Sequence, residues 1–163
     1  MTVIEQNLHQ LDLIRLILRQ VQPEHYRQVK DWPGEPSVGK HIRHVLDHYQ
    51  QLWLASDSHQ LDYRLRLRDE GAQSDPRKAL HWIERLQTWL QCLEADELDT
   101  QLSYQFAEGT TYTSLQRELD FVASHAVHHL ALIHALLEPW GYSWPTEAGV
   151  HSSTREYYKR CAP

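Results

Sequence analysis

The chain is short of the residues that mark several protein classes. It has two cysteines in 163 residues, Cys92 and Cys161, and neither stands in a CxxC or zinc-ribbon spacing. That excludes a disulfide scaffold and a thiolate zinc site. Cys92 falls in the apolar stripe of a predicted helix, and no activating neighbour makes either thiol a nucleophile. Six glycines and seven prolines are few, and most mark boundaries, so the chain is neither collagenous nor low-complexity. Basic excess is missing as well: 16 Lys and Arg stand against 22 Asp and Glu, a net charge of −6. Such a balance repels phosphate backbones, and no nucleic-acid partner is expected. The basic stretch Arg64–Arg68 alternates with leucine, runs into Asp69 and Glu70, and reads as a solvated edge. There is no apolar run of about 18 residues, so no membrane span is expected. The segment MTVIEQNLHQ has no basic region followed by a long apolar one, so no signal peptide and a reduced, cytoplasmic setting are expected. GxSxG, P-loop and GxGxxG motifs are absent.

What is present is enough for a packed core. Hydrophobic residues make up 41%, with six Trp and eight Tyr. The length suits a single domain over residues 1–163. Thr2 and Glu5 form a capping-box signature, and Ile4, Leu8, Leu11, Ile14 and Leu18 follow at helical spacing to about Val21. Pro23, Pro33, Gly34 and Pro36 then mark a loop. Ser37 caps a second helix with the stripe Val38, Ile42, Val45, Tyr49 and Leu52, ending near Ala55. Tyr63, Leu65 and Leu67 alternate with Arg, as in a short strand or an extended crossover. Asp75-Pro76 opens a third helix with Leu80, Ile83, Leu86, Leu90 and Leu93, up to about Ala95. Leu102, Tyr104 and Phe106 alternate before Glu108-Gly109, which reads as a small hairpin or an extended loop. Thr113 or Ser114 caps a fourth helix that Pro139 ends. The aromatic tail from Trp140 wraps over the rest. Four amphipathic helices joined by long crossovers predict an all-α four-helix bundle.

Seven of the twelve histidines fall in two short segments: His41, His44 and His48, then His125, His128, His129 and His134. His44/His48 and His125/His129 are each four apart, so on a helix each pair shares a face one turn apart. Two imidazoles so placed grip one ion, and a third from a facing helix leaves positions for water or substrate. Neutral imidazole is available at pH 7 and suits Zn, Ni or Fe. His125 and His129 are the best pair, while His44 and His48 compete on the second helix. His128 is rotated about 100° from His129 and points elsewhere. His9, His25, His59, His81, His134 and His151 read as solvated or hydrogen-bonded surface residues. Asp47 is read as a ligand, a general base or an orienter of an imidazole N–H, or else as an exposed helix acid. Glu118, two turns before His125, reads as a surface or capping acid.

The segments SVGKHIRHVLDHY (Ser37–Tyr49) and RELDFVASHAVHHLALI (Arg117–Ile133) resemble the two histidine helices of the DinB/YfiT-like metalloenzyme superfamily. PTEAGVHSST (Pro145–Thr154) is similar to a segment that follows the last helix in some members. The resemblance implies a bundle of the up-down-down-up type. By motif position it implies metal ligands at His44, His125 and His129, with Asp47 matching the residue three after the first ligand. His41 and His48 exceed that pattern. It also implies a divalent metal cofactor (Zn, Ni or Fe), a small-molecule substrate and a low-molecular-weight thiol partner, as in thiol-dependent isomerases and S-transferases, and a homodimer. The expected chemistry is metal-activated thiol or water attack on a small electrophile, in detoxification or stress, with Asp47 or His48 as base or orienter. The alternative is a bundle that binds metal or a partner without turnover.

Overall fold

A computed structural model describes residues 1–161. Helix α1 (Val3–Gln20) starts at Thr2, whose hydroxyl accepts from the Glu5 N–H while the Glu5 carboxylate accepts from the Thr2 N–H. This reciprocal pair satisfies two donors that a helix start otherwise leaves orphaned. Pro23 opens a short helix, α2 (Pro23–Arg27), where the sequence pattern gives only a loop. Ser37 caps α3 (Val38–Ser58), which runs a turn past Ala55 until His59 adopts a left-handed conformation and stops it. A short α4 (Glu70–Ser74) precedes α5 (Pro76–Cys92), with Asp75 accepting from the Arg77 N–H. Cys92 is the last residue of α5 and exposed, not part of a mid-helix apolar stripe. Ser114 caps α6 (Leu115–Leu137), and α7 (Ser152–Cys161) forms a final helix within the tail.

The chain is mostly helical, but all-α is too narrow. A three-stranded sheet is present, with β1 (Gln60–Leu61) parallel to β2 (Gln101–Phe106) and β2 antiparallel to β3 (Gly109–Ser114). Of the two readings open for residues 96–113, the hairpin is the one observed. The two-residue β1 escapes sequence patterning because it is too short to show a period. It has a structural effect, however. Pairing Leu61 with Tyr104 ties the crossover after α3 to the hairpin before α6, and so sets Tyr63 against α6.

Among the long helices, α3 packs on α5 and α6, and α1 packs on the same two. Fully buried Leu11, Ile14, Ile17, Ile42, Leu46, Leu52, Ile83, Leu86 and Leu90 fill the space between them. Polar side chains are buried as well. Asn7 on α1 is fully buried, donates to the carbonyls of Val3 and Leu119, and accepts from the Tyr49 hydroxyl. It therefore links α1, α3 and α6, with its amide paired as a buried polar group requires. No helix among the described residues is long and apolar enough to cross a membrane.

Candidate metal centre

The histidine-bearing stretches of α3 and α6 face each other. Ring centroids lie 4.5 Å apart for His44 and His48, 4.4 Å for His48 and His125, and 5.1 Å for His44 and His125. His129 lies 4.5 Å from His125 and 4.8 Å from His44. One ligand atom from each of His44, His48 and His125 falls within 4.8 Å of the other two. Metal–imidazole bonds of about 2.0–2.1 Å place tetrahedral nitrogens roughly 3.3 Å apart.

Hydrogen bonds sort the ring nitrogens. His48 Nδ1 lies 2.7 Å from the His44 carbonyl oxygen, which can only accept, so Nδ1 carries the proton and Nε2 keeps its lone pair. This backbone lock is the usual orienting device behind a metal-bound imidazole. His41 Nδ1 and His129 Nδ1 are 2.9 Å apart, one donating and the other accepting. His125 Nε2 is buried and makes no hydrogen bond among the described residues. Leaving such an atom unpaired costs about 1–3 kcal/mol, which a bound ion would relieve.

The electrostatics suit a cation ligand set. Burial, reinforced by neighbouring histidines and arginines, lowers His44 and His125 to about 4. Burial lowers His48 to about 3, against the opposing pull of the His44 carbonyl, and lowers His129 to about 2. His41 is lowered by burial and by His128. At neutral pH the cluster is thus uncharged, the state in which imidazole binds metal.

Asp47 is buried rather than an exposed helix acid. Its Oδ2 accepts from Arg43 Nη1 at 3.2 Å, and burial raises its pKa against the pull of that guanidinium. It makes no hydrogen bond to an imidazole among the described residues. Arg66, in the stretch that reads as a solvated edge, instead turns inward. Its Nη1 donates to the Tyr63 carbonyl and lies 3.5 Å from His48 Nε2. Glu118 is neither a surface nor a capping acid. It is 4% exposed, accepting from the Tyr63 hydroxyl and the Thr113 hydroxyl, each at 2.9 Å, and from Arg117 Nη1 at 3.3 Å.

The remaining histidines stay outside the cluster. His128 is exposed, His134 stacks on Trp144 at 4.6 Å, His25 stacks on Trp140 at 4.3 Å, and His151 pairs with Ser124 and Ser153. Two aromatic rings that the sequence does not mark out complete the surroundings: Tyr63 at 5.1 Å from His48, and Phe121 at 5.7 Å from His125.

Fold and cluster together define a mostly helical protein whose two facing helices bring histidines into a group able to hold a metal ion. The sequence matches the DinB superfamily over residues 8–133, and the chain belongs to that superfamily. The crystal structure of a DinB-like protein from Bacillus subtilis has the same fold. The two superpose with a TM-score of 0.70 at 14% identity, over 90% of this chain and 97% of that one. No curated protein matches the sequence.

Proposed function

We propose that the chain binds one divalent ion, Zn, Ni or Fe, in a four-helix bundle of the up-down-down-up type, and uses it to act on a small electrophile. The unpaired Nε2 of His125, facing uncharged imidazoles from a second helix, carries this reading. His44 and His125 are the core of the ligand set. His48, with Nε2 freed by its backbone lock, and His129, the motif ligand, flank them. In this assignment His48 ligates instead of acting as a base, since a group titrating near 3 is poorly matched to proton transfer at neutral pH. A bound ion supplies Lewis-acid activation of a thiol or water. Arg66 lends positive charge beside His48, suited to holding an anionic nucleophile or substrate group, and Asp47 holds Arg43 in place as a positioning residue.

Elemental analysis of untagged protein tests the ligand set. One ion per chain is expected in the wild type, none in His44→Ala or His125→Ala, and weaker retention in His48→Ala and His129→Ala. Wild-type protein without metal, or undiminished binding by His44→Ala and His125→Ala, overturns it. A second reading, metal binding without turnover, draws support from the fourth imidazole, which leaves fewer open positions than a three-histidine set. Metal-loaded protein assayed with low-molecular-weight thiols and alkyl or epoxide electrophiles separates the two. Rate acceleration abolished by His44→Ala supports the enzyme.

A further inference from the structure

On the side of the histidines away from His41, the start of α6, the hairpin and the turn at Tyr63 enclose a cleft of about 300 Å³. That is the lower end of the size range of small-molecule sites. Four aromatic residues line it: Tyr63, Tyr104, Tyr112 and Phe121. Tyr63 lies 6.1 Å from Tyr104 and 5.5 Å from Phe121. Two of these rings also touch the histidine cluster. Tyr63 contacts His48, and Phe121 stacks nearly parallel on His125, at 17° between planes. The cleft and the histidine cluster thus share two rings.

The polar lining is equally specific. Arg117 places its guanidinium 5.6 Å over the Phe121 ring, and its side chain is 63% exposed. Among the described residues only Nη1 is engaged, with Glu118, and that carboxylate already accepts from the Tyr63 and Thr113 hydroxyls. The outer edge of the guanidinium remains open to a planar acid, the geometry arginine recognises best. Thr111 shares the same lining, since its register partner is Tyr104 and paired residues project from one face.

We infer that this cleft seats a small aromatic anion, its flat ring among Tyr63, Tyr104 and Phe121 and its acidic group on Arg117. Rings in edge or offset contact favour a planar guest over an aliphatic one. The guanidinium favours a carboxylate over a neutral substituent. The inference rests on the metal-centre reading only in calling the guest a substrate. Binding itself requires no ion.

The test therefore uses metal-free, untagged protein in EDTA, titrated calorimetrically with 2-naphthoate and with neutral 2-naphthylmethanol. Backbone amide NMR shifts locate each ligand. Arg117→Gln is expected to weaken 2-naphthoate at least tenfold and leave 2-naphthylmethanol unchanged, with Arg117→Lys recovering part of the loss. Tyr104→Ala weakens both ligands, and a cooperative melt confirms that it folds. No binding, unchanged 2-naphthoate affinity in Arg117→Gln, or shifts centred away from Thr111 and Arg117 would overturn the inference. Elemental analysis fails or succeeds independently of this titration, so failure of the metal reading and failure of the cleft reading are distinguishable.

Discussion

Lowering the pH from 7 to 5 destabilises the metal-free fold through the buried histidines. His48 and His129 are only 5% and 8% exposed, and both titrate far below the ordinary value of 6.5. The unfolded chain binds protons that these folded imidazoles refuse. Stability is therefore full above about 6.5 and falls as the pH drops below it. Each such histidine costs about 1.4 kcal/mol per pH unit, or about 2 kcal/mol at pH 5. The two together remove about 4 kcal/mol, and the partly exposed His44 and His125 add a share reduced by solvent screening. Asp47 works in the opposite sense, because burial raises its pKa and favours its protonated form in the folded state. For a chain of this length the loss lowers the melting temperature by about 8–16 °C. Thermal melts in EDTA at pH 7, 6 and 5 measure it. His48→Gln and His129→Gln cannot titrate, so each flattens the pH curve by about 2 kcal/mol at pH 5. Curves for the wild type and the double variant that run parallel would refute the reasoning.

Two further outcomes concern the scaffold. Tyr63→Phe takes a hydroxyl donor from buried Glu118 and is expected to cost about 2 kcal/mol, a melting-temperature drop of roughly 4–8 °C, and to cost less in a Glu118→Gln background. Melts of the four proteins in that cycle provide the check. Gly39→Ala gains about 1 kcal/mol in helix propensity, yet its new methyl would overlap the Gln73 carbonyl and approach the Tyr26 ring at 2.9 Å. Chemical denaturation should show net destabilisation of about 1–2 kcal/mol, and a more stable variant would contradict the close packing of α3 on α4.

The histidine cluster was legible because a four-residue spacing means a shared face on any helix, and Ser37 and Ser114 announced where the two helices begin. The capping box at Thr2 and the Asp75-Pro76 start were legible for the same local reason. Glu118 was not. A single acid two turns from a histidine looks solvated until Tyr63, 55 residues away, is brought to it by strand pairing. Arg66 misled likewise, since its neighbours Arg64 and Arg68 are exposed and only its own side chain turns inward. The added helices α2, α4 and α7 are five to ten residues long, too short for an apolar period to rise above chance.

Asn7 carries a consequence for the choice of ion. Its two cross-helix partners, Tyr49 and Leu119, sit one residue after His48 and six before His125. The spacing of the two histidine-bearing helices is thus gauged by an amide on a third helix, separate from the imidazoles themselves. Under the proposed metal-binding reading, cations of similar radius would meet an aperture of preset width, and selection among them would fall to how strongly each prefers nitrogen donors and to how abundant each is.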